Sequence, residues 1–131
     1  MNVRPPVSLW AVAALLSVVQ GSPAARQTVP LTPGMVIERS ITVRPGTYHI
    51  PASADLKIPA ITVRGENIVI DFNGATLLGS REDVDPDQFA GVGVLVEGGS
   101  KVTIRGATIR GYKVGILARN SPDLRITRND L

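Results

Sequence analysis

From Ser40 onward, isoleucine, valine, leucine and threonine recur in short alternating runs, each broken by glycine, and no window keeps a helical period. Branched side chains pack well on a pleated surface, so these runs predict a series of short strands. Residues 26–39 read differently. Pro30, Pro33 and Gly34 interrupt them, and they predict a lead-in segment ahead of the strands.

The runs repeat. Val94-Leu95-Val96-Glu97-Gly98 lies over Ile116-Leu117-Ala118-Arg119-Asn120 at a spacing of 22 positions. The same spacing carries Val102 onto Leu124, Ile104 onto Ile126 and Ile109 onto Leu131. Ile61-Thr62-Val63-Arg64-Gly65 matches the first line at 33, and Gly74–Gly79 matches Gly106–Gly111 at 32. Three copies are present, one with an insertion and the last incomplete.

A unit of this size with three short strands predicts one coil of a solenoid, its strands stacked parallel on the next coil about 4.8 Å away. Period-two alternation then assigns the faces. Ile61, Val94 and Ile116 form one inward column, and Val63, Val96 and Ala118 the next. Ile68, Val102 and Leu124 form a third, and Ile70, Ile104 and Ile126 a fourth. Leu77, Ile109 and Leu131 form the fifth. Gly65, Gly98 and Asn120 share a turn position where positive φ is cheap for these residue types. Arg64, Glu97 and Arg119 form an outward column of alternating sign that would fix register. Leu95 and Leu117 point outward and call for cover, for which the loop bearing Phe89 is a candidate. A β-sandwich would instead need hairpins with tight turns, and the exact spacing of 22 favours a solenoid over it.

Three segments resemble a known family. Residues 41–50 (ITVRPGTYHI) are similar to the first-coil strand of pectate-lyase-like proteins. Residues 67–77 (NIVIDFNGATL) resemble their second-coil signature, and residues 120–131 their parallel β-helix repeat. The resemblance implies an all-β, right-handed parallel β-helix of about three to four coils over residues 40–131. It implies polysaccharide as partner, whether for a lyase, a glycoside hydrolase or a non-catalytic surface or periplasmic scaffold. The last copy stops within a coil, with Leu131 in an apolar column. The chain is therefore expected to be truncated at its C-terminus, the N-terminal part of a longer protein whose remaining coils would cover that end.

Composition adds a compartment. Arg4 is followed by an apolar run from Val7 to Val19 and then by small residues. This predicts a Sec-type signal peptide over residues 1–25, cleaved between Gly21 and Ala25, and a secreted or periplasmic protein with no membrane attachment afterwards. The chain has no cysteine, which excludes lipoprotein export and disulfide staples. Net charge is +3, and from Lys101 onward seven basic residues face only Asp123 and Asp130. With few aromatic residues among them and an export signal, no nucleic-acid partner is expected.

Candidate chemistry is sparse, and no complete active site is expected in this chain. Asp71 is a candidate general acid or base, or equally the acceptor of a turn hydrogen bond. Lys113 and Arg119 are candidate bases for a lyase, or solvated surface charges. Asp83, Asp85 and Asp87 alternate in the inserted loop, like the start of a calcium loop. Gln88 stands where such a loop needs glycine, and Val94 where it needs glutamate. Calcium is the one cofactor these residues suggest; the other reading is a solvated acidic loop. His49 is the only histidine and has no partner spaced for a triad or a metal.

Overall fold

The branched runs between the glycines form strands, most of them three residues long. The computed structural model describes residues 27–81 and 83–131. The expected signal peptide and its cleavage site lie outside the described residues. In chain order the strands are β1 (Thr28–Val29), β2 (Val36–Ile37), β3 (Ile41–Val43), β4 (Thr47–His49), β5 (Ile61–Val63) and β6 (Val69–Asp71). They continue with β7 (Thr76–Leu78), β8 (Ala90–Glu97), β9 (Thr103–Arg105), β10 (Thr108–Arg110), β11 (Tyr112–Arg119) and β12 (Arg125–Thr127). One 3-10 turn, Pro86–Gln88, lies in the inserted loop.

The strands form three sheets, with orders β1-β3-β6-β9-β12, β10-β7-β4 and β11-β8-β5-β2. Every ladder is parallel. From β2 onward the chain visits the four-, five- and three-stranded sheets in turn and then starts again. This all-β arrangement of stacked parallel sheets is compatible with a β-helix-like solenoid and, among the described residues, has none of the hairpins of a sandwich.

Register follows the repeat. Val94 pairs with Ile116 and with Ile61, and Val96 with Ala118 and Val63. Ile104 pairs with Ile70 and Ile126, and Ile109 with Leu77. The columns are dry in the middle and open at one end. Ile61, Ile70, Leu77, Val94 and Ile104 are fully buried, whereas Ile126 is 43% and Leu131 62% exposed. Among the described residues, Phe72 is the largest fully buried side chain.

Part of the expected lead-in is itself built into the sheets. Thr28 and Val29 pair with Thr42 and Val43, and Val36 and Ile37 with Thr62 and Val63. Leu31 and Ile37 add to the core. Two-residue strands carry no alternation, which is why the sequence reads there as linker.

The turns also fall into columns. Gly65, Gly98 and Asn120 all have positive φ, as their types suggest. A second column, Asn67, Lys101 and Asp123, is left-handed as well, at φ of 57°, 56° and 59°. The outward charges behave differently from expectation. Glu97 is in register with Arg119, but Arg64, Glu97 and Arg119 make no ion pair among the described residues. Long side chains at an exposed position are left free to turn into water. Leu95 is 7% exposed and so is covered, while Leu117 is half-buried. Phe89 lines a recess with Tyr112 and Leu131 at the corner between β10 and β11.

Candidate functional site

The outer face of the five-stranded sheet gathers most of the polar chemistry. Strand alternation turns Ile70, Ile104 and Ile126 into the core, so the residues on either side of each point out. These are Val69, Thr103 and Arg125 in one column and Thr42, Asp71, Arg105 and Thr127 in the next.

Asp71 is the centre of this face, and both of its carboxylate oxygens are engaged. Oδ1 accepts a 2.9 Å hydrogen bond from the backbone N–H of Asn73, which has φ of 52°. Oδ2 lies 3.3 Å from the guanidinium of Arg105, its register partner on β9. The first contact is the turn hydrogen bond that the sequence suggests. The second was readable too, because the spacing of 34 that sets Ile70 on Ile104 also sets Asp71 on Arg105.

Two recesses flank this pair. One, of about 350 Å³, is lined by Gln27, Ser40, Ile41, Thr42, Val69, Asp71 and Arg105. The other, of about 520 Å³, is lined by Asn67, Lys101, Thr103, Asp123, Leu124 and Arg125. Sequence reasoning stacks Thr103 on Arg125 but singles out neither Lys101 nor Arg125 as a site residue. The signal was the same register that stacks Arg125 on Thr103, with a charge where the coil below has a hydroxyl.

The other candidate residues do not join this face. Lys113 and Arg119 sit at opposite ends of β11, in the four-stranded sheet. At about 3.3 Å per residue they stand roughly 20 Å apart, too far to act on one group. Asp71, Lys113 and Arg119 thus lie in two different sheets and do not converge. In the inserted loop, Arg81 clasps Asp83 with contacts of 3.1 and 2.6 Å. The guanidinium beside Asp83 holds its carboxyl below the usual carboxylate range. Asp85 and Asp87 are exposed, and the described residues contain no group of three acidic or histidine side chains placed to hold a metal ion.

A third recess, of about 520 Å³, is more apolar and runs along the corner between the inserted loop and β11. Leu78, Pro86, Phe89, Ile109, Tyr112 and Leu131 contribute to it. Its polar groups are arranged for structure. Ser80 donates its hydroxyl to the carbonyl of Gly111 at 2.7 Å, and Arg110 forms an ion pair with Asp130.

No helix among the described residues is long and apolar enough to cross a membrane. Comparison of the chain with protein-family models, with curated proteins and with solved structures gives no match.

Proposed function

We propose that this chain is the N-terminal part of an exported right-handed parallel β-helix protein of the pectate-lyase-like kind, and that it binds extracellular polysaccharide without turning it over. The cyclic visit to three parallel sheets, in the register given by the repeat, supports the fold. The three resembling segments, together with the signal-like first 25 residues, support the class and the compartment.

The observation that carries binding over catalysis is the dispersal of the candidate groups. Asp71 is held by Arg105 and by a backbone N–H, while Lys113 and Arg119 stand at opposite ends of a strand in another sheet. Acid–base chemistry on a glycosidic bond needs two groups facing one substrate across about 5–9.5 Å. The same dispersal favours the second reading, a non-catalytic surface or periplasmic scaffold.

The test is to offer the purified protein a panel of neutral and acidic plant and bacterial polysaccharides. Retention on immobilised polymer and release of new chain ends are measured together. Retention without release is expected. Release of chain ends would overturn the non-catalytic reading, and failure to be retained on any polymer would overturn the binding one.

A further inference from the structure

We propose that the outer face of the four-stranded sheet is a contact surface for a second copy of this chain, joined about a two-fold axis that runs along the strands between β5 and β8. This face belongs to a different sheet from Asp71, and the contact does not depend on polysaccharide binding.

Two outward columns make up the face. Register sets Val36 on Thr62, Thr62 on Leu95 and Leu95 on Leu117. Two residues further along each strand, on the same side by alternation, the next column reads Glu38, Arg64, Glu97 and Arg119. Glu97 is the register partner of Arg119, and Arg64 donates its backbone N–H to the Ile37 carbonyl at 2.9 Å, as the same ladder requires.

A sheet face that stays in water carries polar side chains. The first column breaks that rule. Leu95 is covered within the chain, but Val36 is 46% exposed and Leu117 only half-buried. The apolar side chains left in contact with water thus stand at opposite ends of one column of four. Rotation about the stated axis keeps each column at its place along the strands and reverses its order. Val36 then faces the partner's Leu117, and Leu117 the partner's Val36, so one contact covers both. The strands of the two faces stay aligned, as in other sheet-on-sheet packing.

Charge selects the occupant. The second column runs negative, positive, negative, positive. None of its four members forms an ion pair among the described residues. Reversed by the two-fold, this column meets its own complement. Glu38 lies opposite the partner's Arg119, and Arg64 opposite the partner's Glu97. Every charge faces its opposite, and no like charges face directly. A two-fold along the stack would set each charge against its own copy or against an apolar side chain, and either is unfavourable. A pattern that is its own complement in one orientation fits a second copy better than an unrelated protein or a polymer.

The experiment is sedimentation of protein expressed from the full chain, from roughly 1 μM to 1 mM, at low and moderate salt. A monomer–dimer equilibrium that weakens with salt is expected. Arg119→Glu sets like charges opposite each other at both ends of the interface and should raise the dissociation constant about tenfold or more. Leu117→Ser should weaken the dimer while leaving its salt dependence unchanged. Glu38→Arg combined with Arg119→Glu makes the column positive, positive, negative, negative. That order abolishes the alternation within one chain but remains its own complement under the two-fold, so dimerisation should return close to the strength of the parent. Melting temperatures establish that each variant is folded. If the double variant is not, Arg119→Glu and Leu117→Ser decide the matter between them. A monomer at every concentration would overturn the proposal, and retention of that monomer on a polysaccharide, lost in Leu117→Ser, would give the face to saccharide instead. A dimer unaffected by Arg119→Glu and Leu117→Ser would place the contact elsewhere. A folded double variant that dimerises no better than Arg119→Glu would mean that the alternation serves register alone, and the two-fold contact would fall.

Discussion

The Tyr112 hydroxyl donates a 2.6 Å hydrogen bond to the backbone carbonyl of Ile50, 62 positions earlier in the chain. The two residues belong to layers that are not neighbours. Ile50 donates its N–H to Leu78 in the layer above, and Gly79 donates to Arg110 in the next. Tyr112 therefore reaches across a whole layer, and its ring passes where a side chain on residue 79 would stand. A Cβ on Gly79 would fall within 2.7 Å of the ring carbons of Tyr112.

Tyr112→Phe keeps the ring and deletes this bond, leaving the Ile50 carbonyl without its phenol. A loss of about 1–2 kcal/mol is expected. It would be read as a lower midpoint in urea with an unchanged slope.

Burial also pushes the Tyr112 hydroxyl well above its ordinary value of 10.0. Between those two values the unfolded chain has released this proton while the folded one still holds it. Stability from this group is complete below the ordinary tyrosine value and is lost as pH rises from there toward the folded one. Alkaline unfolding above about pH 10 should therefore be steeper in the parent than in Tyr112→Phe, by up to about 1.4 kcal/mol per pH unit. Parallel stability curves for the two proteins would contradict this.

Gly79→Ala puts a methyl group into the ring of Tyr112, a conflict expected to cost about 1–3 kcal/mol. Tyr112→Ala empties the same space at about 3–5 kcal/mol. The double variant should be more stable than the sum of the two losses allows, because the added methyl then meets no ring. A double-mutant cycle by denaturant unfolding gives the coupling directly, and simple additivity would mean that the two residues do not compete for space.

Asp71→Asn retains an oxygen for the Asn73 N–H and gives up the charge toward Arg105. The ion pair is partly exposed, so a loss below about 1 kcal/mol is expected in thermal unfolding. Asp71→Ala loses the turn acceptor as well and should fall about 1 kcal/mol further. If Asp71 were a catalytic group, both variants would also abolish turnover of any polymer that the parent degrades.

The parts of this molecule that were legible in the sequence are those that parallel stacking governs. When each strand lies in register on the next, inward residues one repeat apart share a column, and Val94 over Ile61 and under Ile116 follows from spacing alone. Turn residues were legible where type and φ agree, as at Gly98 and Asn120, and illegible at Lys101, whose type argues against its conformation. Long outward side chains escaped for a different reason. Register places Glu97 beside Arg119 but does not make them meet, since water competes for both. Tyr112 escaped because its contact runs two layers along the stack, and nearest-neighbour spacing says nothing about such a reach. The candidate site was half visible: Asp71 was found, but its register partner Arg105 and the pair Lys101 and Arg125 were not.

Ile104 and Ile126 provide the sharpest test of the layered core, because they occupy one column and differ only in what lies above. Ile104 is fully buried between Ile70 and Ile126, whereas Ile126 is 43% exposed. Ile104→Ala removes buried methyl and methylene groups and leaves a cavity that strands locked on both sides cannot close, so a loss of about 2–5 kcal/mol is expected. Ile126→Ala removes atoms that already meet water on one side, leaves no enclosed cavity, and should cost about 1 kcal/mol or less. The comparison also tests whether a further layer covers this end. In a protein that supplies one, Ile126 becomes an interior residue like Ile104, and the two substitutions should then cost nearly the same. Unfolding both variants in this chain and in any longer form that contains it measures that change directly.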